Sequence, residues 1–297
     1  MKNVATDALS NKIAMNSKIT QILSFIADIF NIGRVVVSVV NLYGVLGKVG
    51  IKGGLNLDAL NKQLEDAFKP KNLAAVCLCI NSPGGSPVQS ELIAARIIQL
   101  SQKNQVPVYA FVEDMAASGG YWLACAADEI YASKSSIIGS IGVVSASFGF
   151  VDTMNKLGVE RRVYTQGQNK MVLDPFQPTK SEDVKIIGNL QKQVHQHFID
   201  HVKKRRKNRL TQSDDLLFNG EFWSGLTAKD FGLIDGIENL YEFIDKKYGS
   251  KVKINIIGVK EPWLKKKLGI SLAAEDYVNS LEERIEQKIL TDRFRLM

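Results

Sequence analysis

An α/β fold on a mostly parallel sheet is what this sequence predicts, and two observations predict it. Short β-branched or apolar runs alternate with stretches whose apolar residues recur every three or four positions, the pattern of strands joined by crossover helices. Glycine-containing turns follow two of the apolar runs, and the loops after strand ends are where parallel sheets carry functional groups.

The β-branched run at 35–40 predicts the first strand. Leu57, Leu60, Leu64, Ala67 and Phe68 share one helical face, so a helix follows. Residues 73–80 read as a second strand, 86–103 as a helix and 106–112 as a third strand. A small-residue turn, a short helix and a strand at 129–132 come next. Beyond them the pattern predicts a long helix over 180–208, a loop at 219–225, shorter helices within 227–248 and a last strand at 252–257. Ile19, Ile22, Leu23, Ile26, Ile29 and Phe30 predict an amphipathic helix over 18–31, suited to a membrane surface or to docking on the domain or another subunit. Leu272, Tyr277, Val278, Leu281, Ile285 and Ile289 predict a C-terminal helix used for packing or assembly. The simplest organisation is one domain over 34–258 with helical extensions at 1–33 and 259–297.

With 45% hydrophobic and 23% charged residues among 297, the chain is neither disordered nor collagen-like. Its charge of +7 is mild. The run Lys203, Lys204, Arg205, Arg206 and Lys207 falls in a helical stretch and reads as a solvated face, so no nucleic-acid partner is expected. Cys77, Cys79 and Cys125 sit in apolar runs without a C-x-x-C pair, as reduced thiols in a core do. Asp28 and Arg34 interrupt the most apolar N-terminal stretch. The expectation is neither a cleavable signal peptide nor a transmembrane helix, and a cytoplasmic protein or one peripheral to the cytoplasmic membrane.

Two turns are candidates for chemistry. Asn81-Ser82-Pro83-Gly84-Gly85-Ser86 lies between a strand and a helix; paired glycines can expose backbone N–H groups to an anion, or simply make a tight turn. In Asp114-Met115-Ala116-Ala117-Ser118-Gly119-Gly120 a serine flanked by tiny residues opens a helix. A nucleophile so placed is sterically open, although a Ser-Gly-Gly turn serves structure as readily. A serine nucleophile needs a base. His195, His197 and His201 lie within one charged helix and read as an exposed polar face; His197 and His201 at i, i+4 spacing lack a marked third metal ligand. A lysine base remains, and spacing alone does not choose one.

Asn81-Ser82-Pro83-Gly84-Gly85, Ala117-Ser118-Gly119-Gly120-Tyr121, Gly139-Ser140-Ile141-Gly142-Val143 and Gly167-Gln168-Asn169-Lys170 occur in the order seen in the signal peptide peptidase A (protease IV) family. Gly220 to Ala228 and Phe231-Gly232-Leu233-Ile234-Asp235 also resemble that family. The resemblance covers roughly residues 34–250 and matches the short, single-domain form. It implies Ser118 as nucleophile, Lys170 as general base, Ser140 orienting the lysine, and the N–H groups of Gly85 and Gly119 as oxyanion hole. It implies a Clp protease/crotonase-like fold of repeated strand-strand-helix units, no cofactor or metal, and peptide substrates such as signal-peptide remnants. It also implies a homo-oligomer with active sites shared between subunits, whose base Lys170 must sit in a dry pocket to be neutral. A crotonase-like acyl-CoA enzyme, a capsid-maturation protease of the same family and a membrane-organising scaffold are the competing readings.

Overall fold

The computed structural model describes residues 34–47 and 54–258; the two predicted terminal helices lie outside them. Eight strands form one sheet: β1 (Val36–Tyr43), β2 (Leu73–Ser82), β3 (Val108–Ala117), β4 (Glu129–Ala132), β5 (Ile137–Gly139), β6 (Phe222–Ser224), β7 (Gly236–Ile237) and β8 (Lys253–Ile257). The path runs β6-β5-β3-β2-β1-β8, with β4 pairing β3 and β7. Every pairing is parallel except β5 with β6. The α/β class with a mostly parallel sheet is therefore as the alternation predicted.

Side-chain alternation assigns the two faces. Val40, Leu42, Val76, Leu78, Ile80, Ala110 and Val112 point to one core, which also holds apolar residues of α1 (Leu57–Ala67), α2 (Pro87–Asn104) and α3 (Gly119–Ala124). Their neighbours Val37, Val39, Cys77, Cys79, Tyr109 and Phe111 meet Leu240, Phe243 and Ile244 of α8 (Leu240–Tyr248) on the other face. Each such aliphatic side chain, fully buried, contributes about 1.5–3 kcal/mol. The helices start where local chemistry directs: the Asn56 side chain accepts from Ala59 N–H to cap α1, and Ser86 caps α2 ahead of Pro87. Cys77, Cys79 and Cys125 are free and buried.

The sheet forks, and the fork makes the site. Up to Val112, β3 pairs with β4; from Met115 it pairs with β5. Between Ile80↔Val112 and Ser82↔Ala116, β3 carries two more residues than β2, a bulge that bends the strand. Leu46 bridges Gly85 in the same second layer. Strands β1, β2 and β3 thus each continue into a short second extended piece, at Leu46, Gly85 and Met115–Ala117, before a helix. This is the strand-strand-helix repeat that the resemblance implies.

The remaining helices are α4 (Val151–Leu157), α5 (Ser181–Arg206), α6 (Asp214–Leu217) and α7 (Gly225–Asp230). Two sequence expectations are corrected here. The loop at 219–225 contains β6, whose three residues close the β5 edge. The basic run is not uniformly solvated. Arg206 is 1% exposed and donates to the Gly232 carbonyl and to Asp235. Arg205 donates to the carbonyls of Cys125, Ala126 and Ala127, just past the end of α3.

Candidate active site

Ser118 joins β3 directly to α3, at φ 51° and ψ −121°. A non-glycine residue held there costs on the order of 1–3 kcal/mol, so its surroundings must impose it. They do so through the backbone. The Ser118 N–H donates to the Gly139 carbonyl at 2.8 Å, extending the β3–β5 ladder, and its own carbonyl accepts from Tyr121 and Trp122 N–H at 2.9 and 3.1 Å. The hydroxyl does not cap α3, and among the described residues it makes no hydrogen bond.

The tiny neighbours are explained by close approach. A Cβ on Gly84 would lie 2.8 Å from both Gly119 N and Ser118 Cβ, and one on Gly119 would lie 2.4 Å from Ser90 Oγ. The two turns flagged in the sequence therefore pack backbone on backbone. Leu46 N–H donates to the Gly84 carbonyl and Ser86 N–H to the Leu46 carbonyl, each at 2.8 Å. In a parallel bridge this directs the N–H of the intervening Gly85 away from Leu46. Gly119 N–H is the first of α3 and has no helical acceptor. Gly85, Ser118 and Gly119 line one narrow cleft of about 20 Å³, space for roughly one water. Ser90, Trp122 and Val143 close it, together with Val194 and Phe198 of α5.

Ser140 sits beside the cleft at the end of β5, also at positive φ (52°), its N–H donating to the Glu221 carbonyl at 2.7 Å. Lys170 is exposed, in a turn closed by its N–H to the Gly167 carbonyl at 3.2 Å, and it does not line the Ser118 cleft. The segment that carries it, 144–180, is exposed almost throughout. Its own small cluster joins the Arg161–Asp174 ion pair to Phe176 and Phe150.

The histidine reading is corrected. His201 stacks on Trp122 at 5.2 Å and its Nε2 meets the Trp122 carbonyl at 3.1 Å; His195 Nε2 meets the Ile141 carbonyl at 3.0 Å. His201 pins α5 to α3 and His195 pins it to the loop after β5, while His197 remains exposed. Helical periodicity could not reveal this, because the segments they bind are distant in sequence. No cluster of three or more potential metal ligands occurs among the described residues. Burial pushes the His201 imidazole down to about 4, outweighing the Trp122 carbonyl bond that acts the other way. An unfolded histidine titrates near about 6.5, so the unfolded chain binds the extra proton between these values. Stability on this account is constant above about pH 6.5 and falls by up to about 3 kcal/mol as pH drops to about 4. Urea midpoints at several pH values should show His201→Phe with a shallower acid slope than the parent.

Comparison with known proteins fits this geometry. Residues 101–253, which include Ser118, Ser140 and Lys170, match the model for Peptidase family S49. The chain belongs to that family. A segment covering 64% of it is 33% identical to Protease 4 of Haemophilus influenzae, and one covering 70% is 29% identical to the chloroplastic serine protease SPPA of Arabidopsis thaliana. Over 78% of the chain it is 51% identical to a Brucella melitensis protein named Na(+)/H(+) antiporter NhaA. The aligned parts are 30%, 31% and 32% of those proteins, so the chain spans about a third of their length. The antiporter name describes a much longer protein, and among the described residues no helix is long and apolar enough to cross a membrane.

Proposed function

We propose that this S49-family chain is a serine peptidase in which Ser118 attacks a peptide carbonyl and forms an acyl-enzyme. The observation that carries this reading is the strained Ser118, whose hydroxyl is unbonded among the described residues, sharing a cleft with Gly85 and Gly119, whose N–H groups have no acceptor there. Those two donors would hold the tetrahedral oxyanion. Lys170 takes the serine proton and returns it to the leaving amine, with Ser140 orienting the ammonium; water then releases the acyl group. Signal-peptide remnants and other membrane-derived peptides are the substrates proposed for it, in line with the name of a 28% identical relative from Enterococcus faecium, "Putative signal peptide peptidase SppA". Labelling purified protein with a fluorophosphonate should modify Ser118 alone, as located by peptide mass spectrometry. Absence of label on folded protein would remove Ser118 as nucleophile.

An exposed lysine is a poor base, because only desolvation or neighbouring charge makes an amine neutral at ordinary pH. Lys170 therefore serves the Ser118 of a neighbouring copy, where docking dries it. Its segment suits that role: Val144, Phe148, Leu157 and Tyr164 are 71–92% exposed in the single chain, an apolar surface of the kind that assembly covers. Ser118→Ala and Lys170→Ala chains, each inactive alone, should regain about a quarter of parental activity when coexpressed and mixed in one ring, since about a quarter of interfaces pair intact partners. Mixed oligomers without recovery would show that each protomer holds its own pair.

A further inference from the structure

On the face opposite α1 and α2, α8 covers only part of the sheet. Beside it, at the C-terminal ends of β1, β2 and β3, lies an open groove of about 460 Å³. Its floor is apolar, with Val39, Phe111, Leu240, Ile254 and Ile256. Its charged lining residues are Glu113, Asp114 and Glu238, and none is lysine or arginine. In a chain with net charge +7 this is a local reversal of sign.

The β3 bulge produces it. A regular strand would turn one of two successive residues inward, but here Glu113 and Asp114 are both exposed. Each is held in place: Tyr43 OH donates to Glu113 Oε1 and Asn81 Nδ2 to Asp114 Oδ2, both at 2.7 Å. Burial first, and the Glu113 charge second, push the nearby Cys79 thiol up to about 12. Tyr43 and Tyr241 present exposed rings at the rim. Strand β8, which contributes Ile254 and Ile256, ends the sheet and pairs only with β1 among the described strands.

We propose that this groove binds an extended segment of a partner protein bearing lysine or arginine side chains. The apolar floor takes the aliphatic stems, the carboxylates take the cationic heads, and the tyrosine rings add cation–π faces. The outer edge of β8, unpaired among the described strands, offers backbone partners to an extended chain. An acidic segment is repelled at the same positions.

The test is fluorescence anisotropy with a fluorescein-labelled peptide alternating lysine and leucine, on full-length Ser118→Ala protein so that cleavage does not consume the probe. Binding is expected to weaken roughly tenfold or more in the Glu113→Gln, Glu238→Gln double variant. A similar loss is expected on raising salt from about 50 to about 500 mM, and the glutamate–leucine counterpart should not bind. If the double variant does not fold, Ile256→Lys places a cation at an exposed groove position and should produce the same loss. Undiminished affinity in these variants, equal binding of the acidic peptide, or displacement by a peptide ligand of the Ser118 cleft would overturn the proposal. Two results would overturn it by naming another occupant. The first is probe binding that appears only after Lys265→Gln, Lys266→Gln and Lys267→Gln, which would mean the chain's own lysines fill the groove. The second is a drop in sedimentation mass caused by the carboxylate changes, which would place a second copy there.

Discussion

Replacing Ser118 by alanine, or Lys170 by alanine, should lower the rate of peptide hydrolysis at least roughly a thousandfold, because members of a catalytic unit fail together. The structure makes this a clean experiment. Ser118 Oγ caps no helix, and Lys170 is exposed, so neither substitution removes a packing or hydrogen-bonding contact that folding needs. The variants should melt with the parent by circular dichroism while turnover of a fluorogenic peptide collapses. Near-parental turnover in either folded variant would refute the pairing of these residues.

The largest stability effect is expected at Asp235. Its carboxylate accepts from Arg206 Nη1 at 2.7 Å and Nη2 at 3.2 Å, from Ile130 N–H at 2.7 Å, and pairs with Arg209 at 3.1 Å. Asp235→Ala leaves the Arg206 guanidinium buried with only the Gly232 carbonyl, and orphans a backbone donor of β4. Removing one partner of such a pair costs about 3–5 kcal/mol, which for a domain of this size lowers Tm by about 10 °C. Replacing both partners by apolar residues, Arg206→Met with Asp235→Leu, should recover much of the loss, since the cost lies in the unpaired charge. A single variant that melts within about 2 °C of the parent would show the pair to be dispensable.

The long elements were legible because their periodicity is strong: β1, β2, α1, α2 and α5 fall within a few residues of the apolar patterns that predict them. Strand β3 runs beyond its predicted end at 112 because Glu113 and Asp114 interrupt the apolar run. They do so at a bulge, where charge is tolerated on the open side. Strands β5, β6 and β7 have only two or three residues each, too few for alternation to register. At the candidate site, the two glycine turns were visible as turns, but their contact was not, since Gly84 and Gly119 meet only once β2 and β3 are paired. Arg206 and His201 were misread for one reason. A helix pattern identifies residues that share a face, and only the partners supplied by Asp235 and Trp122 decide what that face touches.

The pairing of β1 with β8 bears on how the chain acquires this structure. Val36 lies opposite Lys253, so the first described strand gains its outer neighbour only from the last. During synthesis β1 can pair early with β2, a nearby segment. Its other edge stays open until nearly the whole domain has left the ribosome, and closing so long a loop precedes any reward from the contacts it makes. Sheet completion is therefore a late event, and for most of its synthesis the nascent domain presents a bare β-branched edge for chaperones to guard.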